Sequence, residues 1–231
     1  MHMRILPRKA RENNHDYALR TLRENIIHLD LPPGSRISEN DLSAQLGLSR
    51  TPIREALMEL ARVRLVEVYP QRGSAIALID DELVEEARFL RSVMECAVVE
   101  LVCRMATEED LLLLMENVTR QEYYLAQGQS EQLWKLDGSF HALLFRIARK
   151  EQTHALMADM TLHFDRVRNM TLNTVENSAI VSDHRAIAEA VARRDEAAAK
   201  QLMSVHLSRY QVDKTHLLEH YPAEYFKQSS E

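Results

Sequence analysis

Two cysteines, five glycines, six prolines and one tryptophan are what this 231-residue sequence has least of. Cys96 and Cys103 lie seven apart in a helical pattern, about 10 Å along the axis, too far for a bridge within one helix. They read as reduced, buried thiols in a stripe with Val99. So little glycine and proline excludes fibrous and low-complexity chains, and 45% apolar with 28% charged residues is the composition of a folded, helix-rich protein. No stretch approaches the roughly 20 uncharged apolar residues of a membrane span. The early basic residues Arg4, Arg8, Lys9 and Arg11 lead into no apolar signal core. A cytoplasmic protein without a membrane partner is expected.

What is present is unevenly shared. Residues 1–79 carry 12 Lys and Arg against 9 Asp and Glu, leaving 17 against 26 for residues 80–231, within a net charge of −6. A mildly basic head on an acidic body suits a polyanion-binding module, because phosphate neutralisation drives non-specific DNA affinity. The length accommodates two cores.

Residues 1–13 are polar and basic and read as a flexible arm. Leu19, Leu22, Ile26 and Leu29 then recur at helical spacing until Leu31-Pro32-Pro33-Gly34 stops the helix. Ser38 offers an N-cap with Asp41 three residues on, and Leu42 and Leu46 face a short helix ending at Gly47. Pro52 falls in the first turn of a third helix with Ile53, Leu57 and Leu60 inward. Two helices joined by a tight glycine turn form a helix-turn-helix. Residues 65–69 and 74–78 change to strand period around Pro70-Gln71-Arg72-Gly73 and predict a hairpin wing.

From Asp80 to Pro222 the chain holds no proline, and apolar residues keep helical spacing. The spacing predicts helices near 80–106, 108–126, 130–149, 151–174, 178–193 and 195–218, an antiparallel bundle, with a loose tail from 219. The fold class is mainly α: a winged helix-turn-helix over 14–79 and an all-α bundle over 80–218.

A recognition helix needs base-reading and phosphate-clamping side chains at its start. Ser49, Arg50, Thr51 and Arg54 supply both: arginine pairs bidentately with guanine, and hydroxyls and first-turn amides suit phosphate. Arg72 beside Gly73 is placed to reach the minor groove. Each residue alone equally fits a cap or a solvated charge; their order along the chain is the stronger signal.

In the bundle, Asp137 and His141 are four apart and share a helix face. His184 has Ile187 and Val191 in register, and His206 has Leu202, Met203 and Tyr210 around it. If these helices pack antiparallel, a carboxylate and three imidazoles converge. Such ligands without thiolate suit zinc first, and also nickel, manganese or iron, with a position open to a small carboxylate. Spacing alone leaves open that each is an ordinary core or surface histidine.

The run SENDLSAQLGLSRTPIREALMELARVRLVEVYPQRG, preceded by PPGS, resembles the winged helix-turn-helix of GntR-type regulators. DGSFHALLF and SDHRAIAEAVARRDEAAAKQLMSVHL resemble the FCD effector domain of the FadR branch over roughly 80–218. The resemblance implies that Ser49, Arg50, Thr51, Arg54, Gln71, Arg72 and Gly73 contact operator DNA. It also implies that Asp137, His141, His184 and His206 hold a divalent ion, that Arg91 lines a pocket for a small carboxylic acid, and that the chain is a homodimeric, ligand-responsive regulator, a repressor first or else an activator, not an enzyme. Arg166, Arg168 and Asn169 lie where one of them would reach that pocket. Three positions depart from the family pattern: Arg64 replaces a glycine before the wing, Asn40 stands where some members carry an arginine, and Lys150–Gln152 replace a Gly-Asn turn. Two competing readings are a metal-dependent hydrolase, against which no further general base stands out, and a regulator whose metal is purely structural.

Overall fold

The computed structural model describes residues 3–69, 72–174 and 178–228, with the backbone alone at 172–174 and 210–216. These fall into two compact units, one drawn from Met1–Val84, Leu162–Arg166 and Tyr221–Glu231, the other from Glu85–Thr161 and Val167–His220.

In the first unit α1 (Asn14–Ile27) opens on Asn13, whose side chain accepts the Asp16 amide and so satisfies an orphan donor of the first turn. Leu22 and Ile26 are fully buried on its inner face. After β1 (Arg36–Ile37) come α2 (Glu39–Leu46) and α3 (Arg50–Arg62). The turn between them rests on Gly47 at φ 65°, a left-handed position that glycine adopts without steric cost. Ser38 is the N-cap of α2, but its side chain caps no amide, so the expected box with Asp41 is not formed. α3 buries Ile53, Ala56, Leu57 and Leu60 and packs on α1.

The wing follows as β2 (Val66–Tyr69) and β3 (Gly73–Ile76), with Val66 opposite Ile76 and Tyr69 opposite Gly73. β3 also pairs with β1, giving a three-stranded sheet in the order β1-β3-β2. A two-residue strand is too short to show an alternating pattern, which is why the sequence did not signal β1.

Two terminal expectations are corrected. Residues 3–12 do not hang free: Met3 is buried, Arg4 exchanges backbone hydrogen bonds with the Asn25 side chain, and the Tyr17 hydroxyl donates to Leu6 O. Arg20 clamps Glu12, whose carboxyl that guanidinium holds down at about 2. Asn25 and Tyr17, polar positions on the buried side of α1, supply the anchors. The tail is not loose either, because Phe226 is buried, residue 79 exchanges backbone hydrogen bonds with Tyr225 and Lys227, and Lys227 pairs with Asp80.

The second unit is all helix: α4 (Asp81–Met105), α5 (Glu108–Ala126), α6 (Ser130–Ile147), α7 (Glu151–Met157), α8 (Leu162–Thr174), α9 (Ser178–Ala192) and α10 (Glu196–His220). The first residues of α4 and α8 cluster with the first unit, where His163 donates to Val63 O and Arg166 to Ala77 O, each at 2.9 Å. A capping box between Thr107 and Asp110 starts α5. The core is built from Val99, Val102 and Cys103 of α4, Leu114 and Val118 of α5, Phe140 and Leu144 of α6, Ile187 and Val191 of α9, and Met203 and Leu207 of α10. Burial pushes the Cys103 thiol up to about 11, so it packs as an unreactive apolar group.

The single helix expected over 151–174 is instead two. Met157 O accepts from both Met160 N and Thr161 N, and the Thr161 hydroxyl bonds Ala158 O. A side-chain hydroxyl thereby competes with the helical ladder where there is neither glycine nor proline to announce a break.

Scarce glycine leaves its mark on the helix ends. Arg64, Arg149 and Arg194 occupy left-handed positions at φ 57°, 56° and 59°. After α3, Arg64 N bonds Ala61 O and Leu65 N bonds Leu60 O, the paired closure that usually takes glycine. The substitution at Arg64 therefore keeps the turn and accepts the strain.

Candidate metal centre and DNA-binding face

Three helices of the bundle bring together one buried polar cluster. Asp137 and His141 come from consecutive turns of α6, His184 from the first half of α9 and His206 from the middle of α10. All four are 8% exposed or less. One ligand atom from each lies within 4.8 Å of the others. His206 Nε2 stands 3.3 Å from both His141 Nε2 and His184 Nε2, and His184 Nε2 is 3.7 Å from Asp137 Oδ1. The four residues thus converge on one point of the bundle.

The ring orientations are fixed from behind. His141 Nδ1 meets Glu95 Oε2 at 2.5 Å, His184 Nδ1 meets Gln121 Oε1 at 2.8 Å, and His206 Nδ1 meets Asp183 Oδ2 at 3.3 Å. Phe140 stacks on the His184 ring with centroids 4.2 Å apart. When each Nδ1 donates outward, each Nε2 carries a lone pair and the three lone pairs face one another. That arrangement is repulsive unless a cation lies among them.

The donor set fits a divalent ion. Tetrahedral bonds of about 2.0–2.1 Å to nitrogen separate the nitrogens by about 3.3–3.4 Å, matching the separations here. Asp137 Oδ1, fully buried, accepts no hydrogen bond among the described residues. Outer partners that fix the tautomer and orientation of metal-binding histidines are the expected support of such a centre.

The electrostatics agree. Burial pulls His141 down to about 4 against the pull of Glu95, and holds His184 well below its ordinary value, so both imidazoles offer lone pairs at neutral pH. Burial would raise the carboxyls of Asp137 and Glu95. Arg168 and the histidines hold Asp137 well below the usual range, and Arg91 and His141 do the same for Glu95. Asp183, opposed by burial and steadied by Arg209 and His206, lies at about 2.

Arg91, expected to line an acid pocket, is buried with its Nε 2.6 Å from Glu95 Oε1, so it stands one residue behind His141. Of the three α8 candidates, Arg168 reaches the centre, its NH2 2.7 Å from Asp137 Oδ2. Arg166 is turned to Ala77 O, and Asn169 is buried. The sequence reading missed Gln121, Asp183 and Glu95 as supports. Gln121 continues the buried stripe Leu114, Val118, and Arg91 and Glu95 lie on the buried side of α4; a polar residue in core register was the available signal.

The DNA-binding candidates are arranged otherwise. Ser49 is the N-cap of α3 and its hydroxyl caps no amide. Ser49, Arg50, Thr51, Arg54, Arg72 and Gly73 are all exposed, while Gln71 lies outside the described residues. Arg54 is held by Glu39 through two hydrogen bonds of 3.0 and 2.9 Å. A groove lined by Arg36, Asn40, Arg50, Tyr69, Arg72 and Ser74 runs between the start of α2 and the wing.

Comparison with known proteins gives the same division. The pattern of the gntR family of bacterial regulatory proteins matches residues 16–76, and that of the FCD domain residues 86–209. The HTH-type transcriptional repressor RspR of Escherichia coli K12 is 33% identical over 189 residues, covering 81% of this chain and 83% of its own. An HTH-type transcriptional regulator of Streptomyces ambofaciens is 34% identical over 199 residues, with 86% and 83% covered. The solved structure of E. coli McbR/YncC has a TM-score of 0.76 at 19% identity, covering 91% of this chain and 99% of that one, a likeness of fold.

Proposed function

This chain belongs to the gntR family of bacterial regulatory proteins, carries an FCD domain and is a DNA-binding transcription regulator; from that premise we propose that its bundle senses a small carboxylic acid at a divalent metal ion. Residues 14–79 form the DNA-binding domain and residues 80–218 the effector-binding and dimerisation domain. Asp137, His141, His184 and His206 hold the ion, zinc first among the candidates. The convergence of four buried ligand atoms, with every imidazole supported at Nδ1, carries this reading.

Bound there, the ion supplies a Lewis-acid seat for a carboxylate oxygen. The protein contributes the matching charges. Asp137, Glu95 and Asp183 are each neutralised by one guanidinium, from Arg168, Arg91 and Arg209. A divalent cation added to a balanced cluster leaves positive charge, and an anion answers it. Arg91, joined to His141 through Glu95, adds positive potential behind the seat.

In the winged domain, Ser49, Arg50, Thr51, Arg54, Gln71, Arg72 and Gly73 read an operator as a homodimer, with Arg54 exchanging Glu39 for phosphate or base. RspR is a repressor, and repression is proposed here by that similarity. Acid binding changes helix packing in the bundle and with it the operator affinity, by the differential affinity of the acid for the two states. Fluorescence anisotropy on a DNA fragment selected from a random pool tests this, with metal-loaded protein and a panel of small mono- and dicarboxylic acids. At least one acid should change the affinity severalfold. Identical affinity with every acid would remove the sensing half and leave DNA binding standing.

The depth of the four ligands also fits an ion that only holds the bundle together. Chelation separates the two readings: a sensing site empties with its helical circular dichroism intact, whereas a structural site takes the helices with it.

A further inference from the structure

Three arginines serve the buried cluster, and they are not equivalent. Arg91 and Arg209 pair with Glu95 and Asp183, carboxylates that stand behind the imidazoles and are not themselves among the four converging groups. Arg168 pairs with Asp137, itself one of the four ligands. Its guanidinium therefore occupies, on the ligand carboxylate, the place of a counter-cation.

We propose that Arg168 is a built-in competitor of the metal ion and the clamp for the acid: it holds Asp137 until that carboxylate turns to the ion, and then takes the carboxylate of the effector. The proposal rests on the metal-and-acid reading above and adds an order to it, ion first and acid second. Arg168 is placed for such an exchange. Its side chain is 13% exposed against 1% for Asp137, so it forms the outer edge of the inner site. Its Cζ lies 4.5 Å from the Trp134 ring centre, a cation–π seat that holds the charge while the partner changes. Once Asp137 serves the ion, a guanidinium and a divalent charge face the same edge, and a planar carboxylate satisfies both.

A residue of purely structural importance would weaken everything when changed. A competitor and clamp moves two readings in opposite directions. The test uses the full chain, zinc titrated in competition with a chromophoric chelator, and malonate titrated calorimetrically into the zinc-loaded protein at up to tens of millimolar. R168Q should bind zinc about tenfold more tightly than the parent, within the usual range of coupling between sites. Its zinc-loaded form should bind malonate at least about tenfold more weakly, the loss expected for charged hydrogen bonds. R168K keeps the charge and should leave zinc affinity within about threefold of the parent, so it guards against a folding defect in R168Q.

Unchanged or weaker zinc binding in R168Q, with zinc bound by the parent, would overturn the competitor role and leave the metal centre standing. Malonate ignored by the loaded parent, or bound equally by R168Q, would overturn the clamp. No zinc on the parent or either variant would overturn both this proposal and the sensing reading beneath it.

Discussion

The two units of this chain handle polar chemistry in opposite ways. In the winged domain Ser49, Arg50, Thr51 and Arg72 stand exposed on a scaffold of buried Leu22, Ile26, Ile53 and Leu60, and the fold does not depend on what they touch. In the bundle Asp137, His141, His184, Glu95 and Arg91 are inside the core, each within reach of a partner, and Phe140 of that core stacks directly on the His184 ring. A surface site can be altered without disturbing the fold. An internal site is part of the fold, because every charge in it needs its partner. Recognition and stability are therefore separable in the first region and bound together in the second.

That contrast can be broken by mutation. The largest effect falls in the bundle: Glu95→Ala leaves the Arg91 guanidinium buried beside an empty place and releases His141 Nδ1. It should lower the unfolding free energy by about 3–5 kcal/mol in a denaturant titration, with metal affinity falling about 10–100-fold. A loss below about 1 kcal/mol would mean that the internal charges are not stabilised as a set.

In the winged domain the effect should appear in binding and not in stability. Arg50→Ala should weaken operator binding by about 1–3 kcal/mol, while the unfolding free energy stays within the range of a neutral surface change, about 0.5 kcal/mol. If Arg50→Ala unfolds the domain instead, the separation fails. Arg72→Ala should act the same way and reduce the salt slope of binding by about one. The smallest effect is a gain: Arg64→Gly relieves a left-handed arginine at φ 57° and should stabilise the winged domain by about 0.5 kcal/mol, part of the relief being offset by unfolded-state entropy. A loss of stability would show that the Arg64 side chain contributes more than its backbone costs.

The same contrast explains what could be read in the sequence. Periodicity exposed α1, α3 and most of the bundle because their apolar stripes are long, and Gly47 marked the turn between α2 and α3. The four residues of the buried cluster were legible because Asp137 and His141 share a face and the FCD resemblance pointed to the set. The break between α7 and α8 was not, since it rests on a threonine hydroxyl and a bifurcated carbonyl. Nor was β1, two residues long, or the docking of residues 3–12 through Asn25 and Tyr17, because contacts between distant segments leave no local pattern. The supports Glu95, Gln121 and Asp183 lay in view as polar residues on buried helix faces, but only the structure shows which histidine each one holds.

The central claim is that the cluster in the bundle is a metal centre. Elemental analysis of the purified protein, beside a variant carrying Asp137→Ala and His206→Ala, tests it most directly. The account predicts close to one divalent ion per chain in the parent and none in the variant, with both still folded by circular dichroism. An absence of metal from the parent, even after incubation with zinc, nickel, manganese and iron, would contradict it.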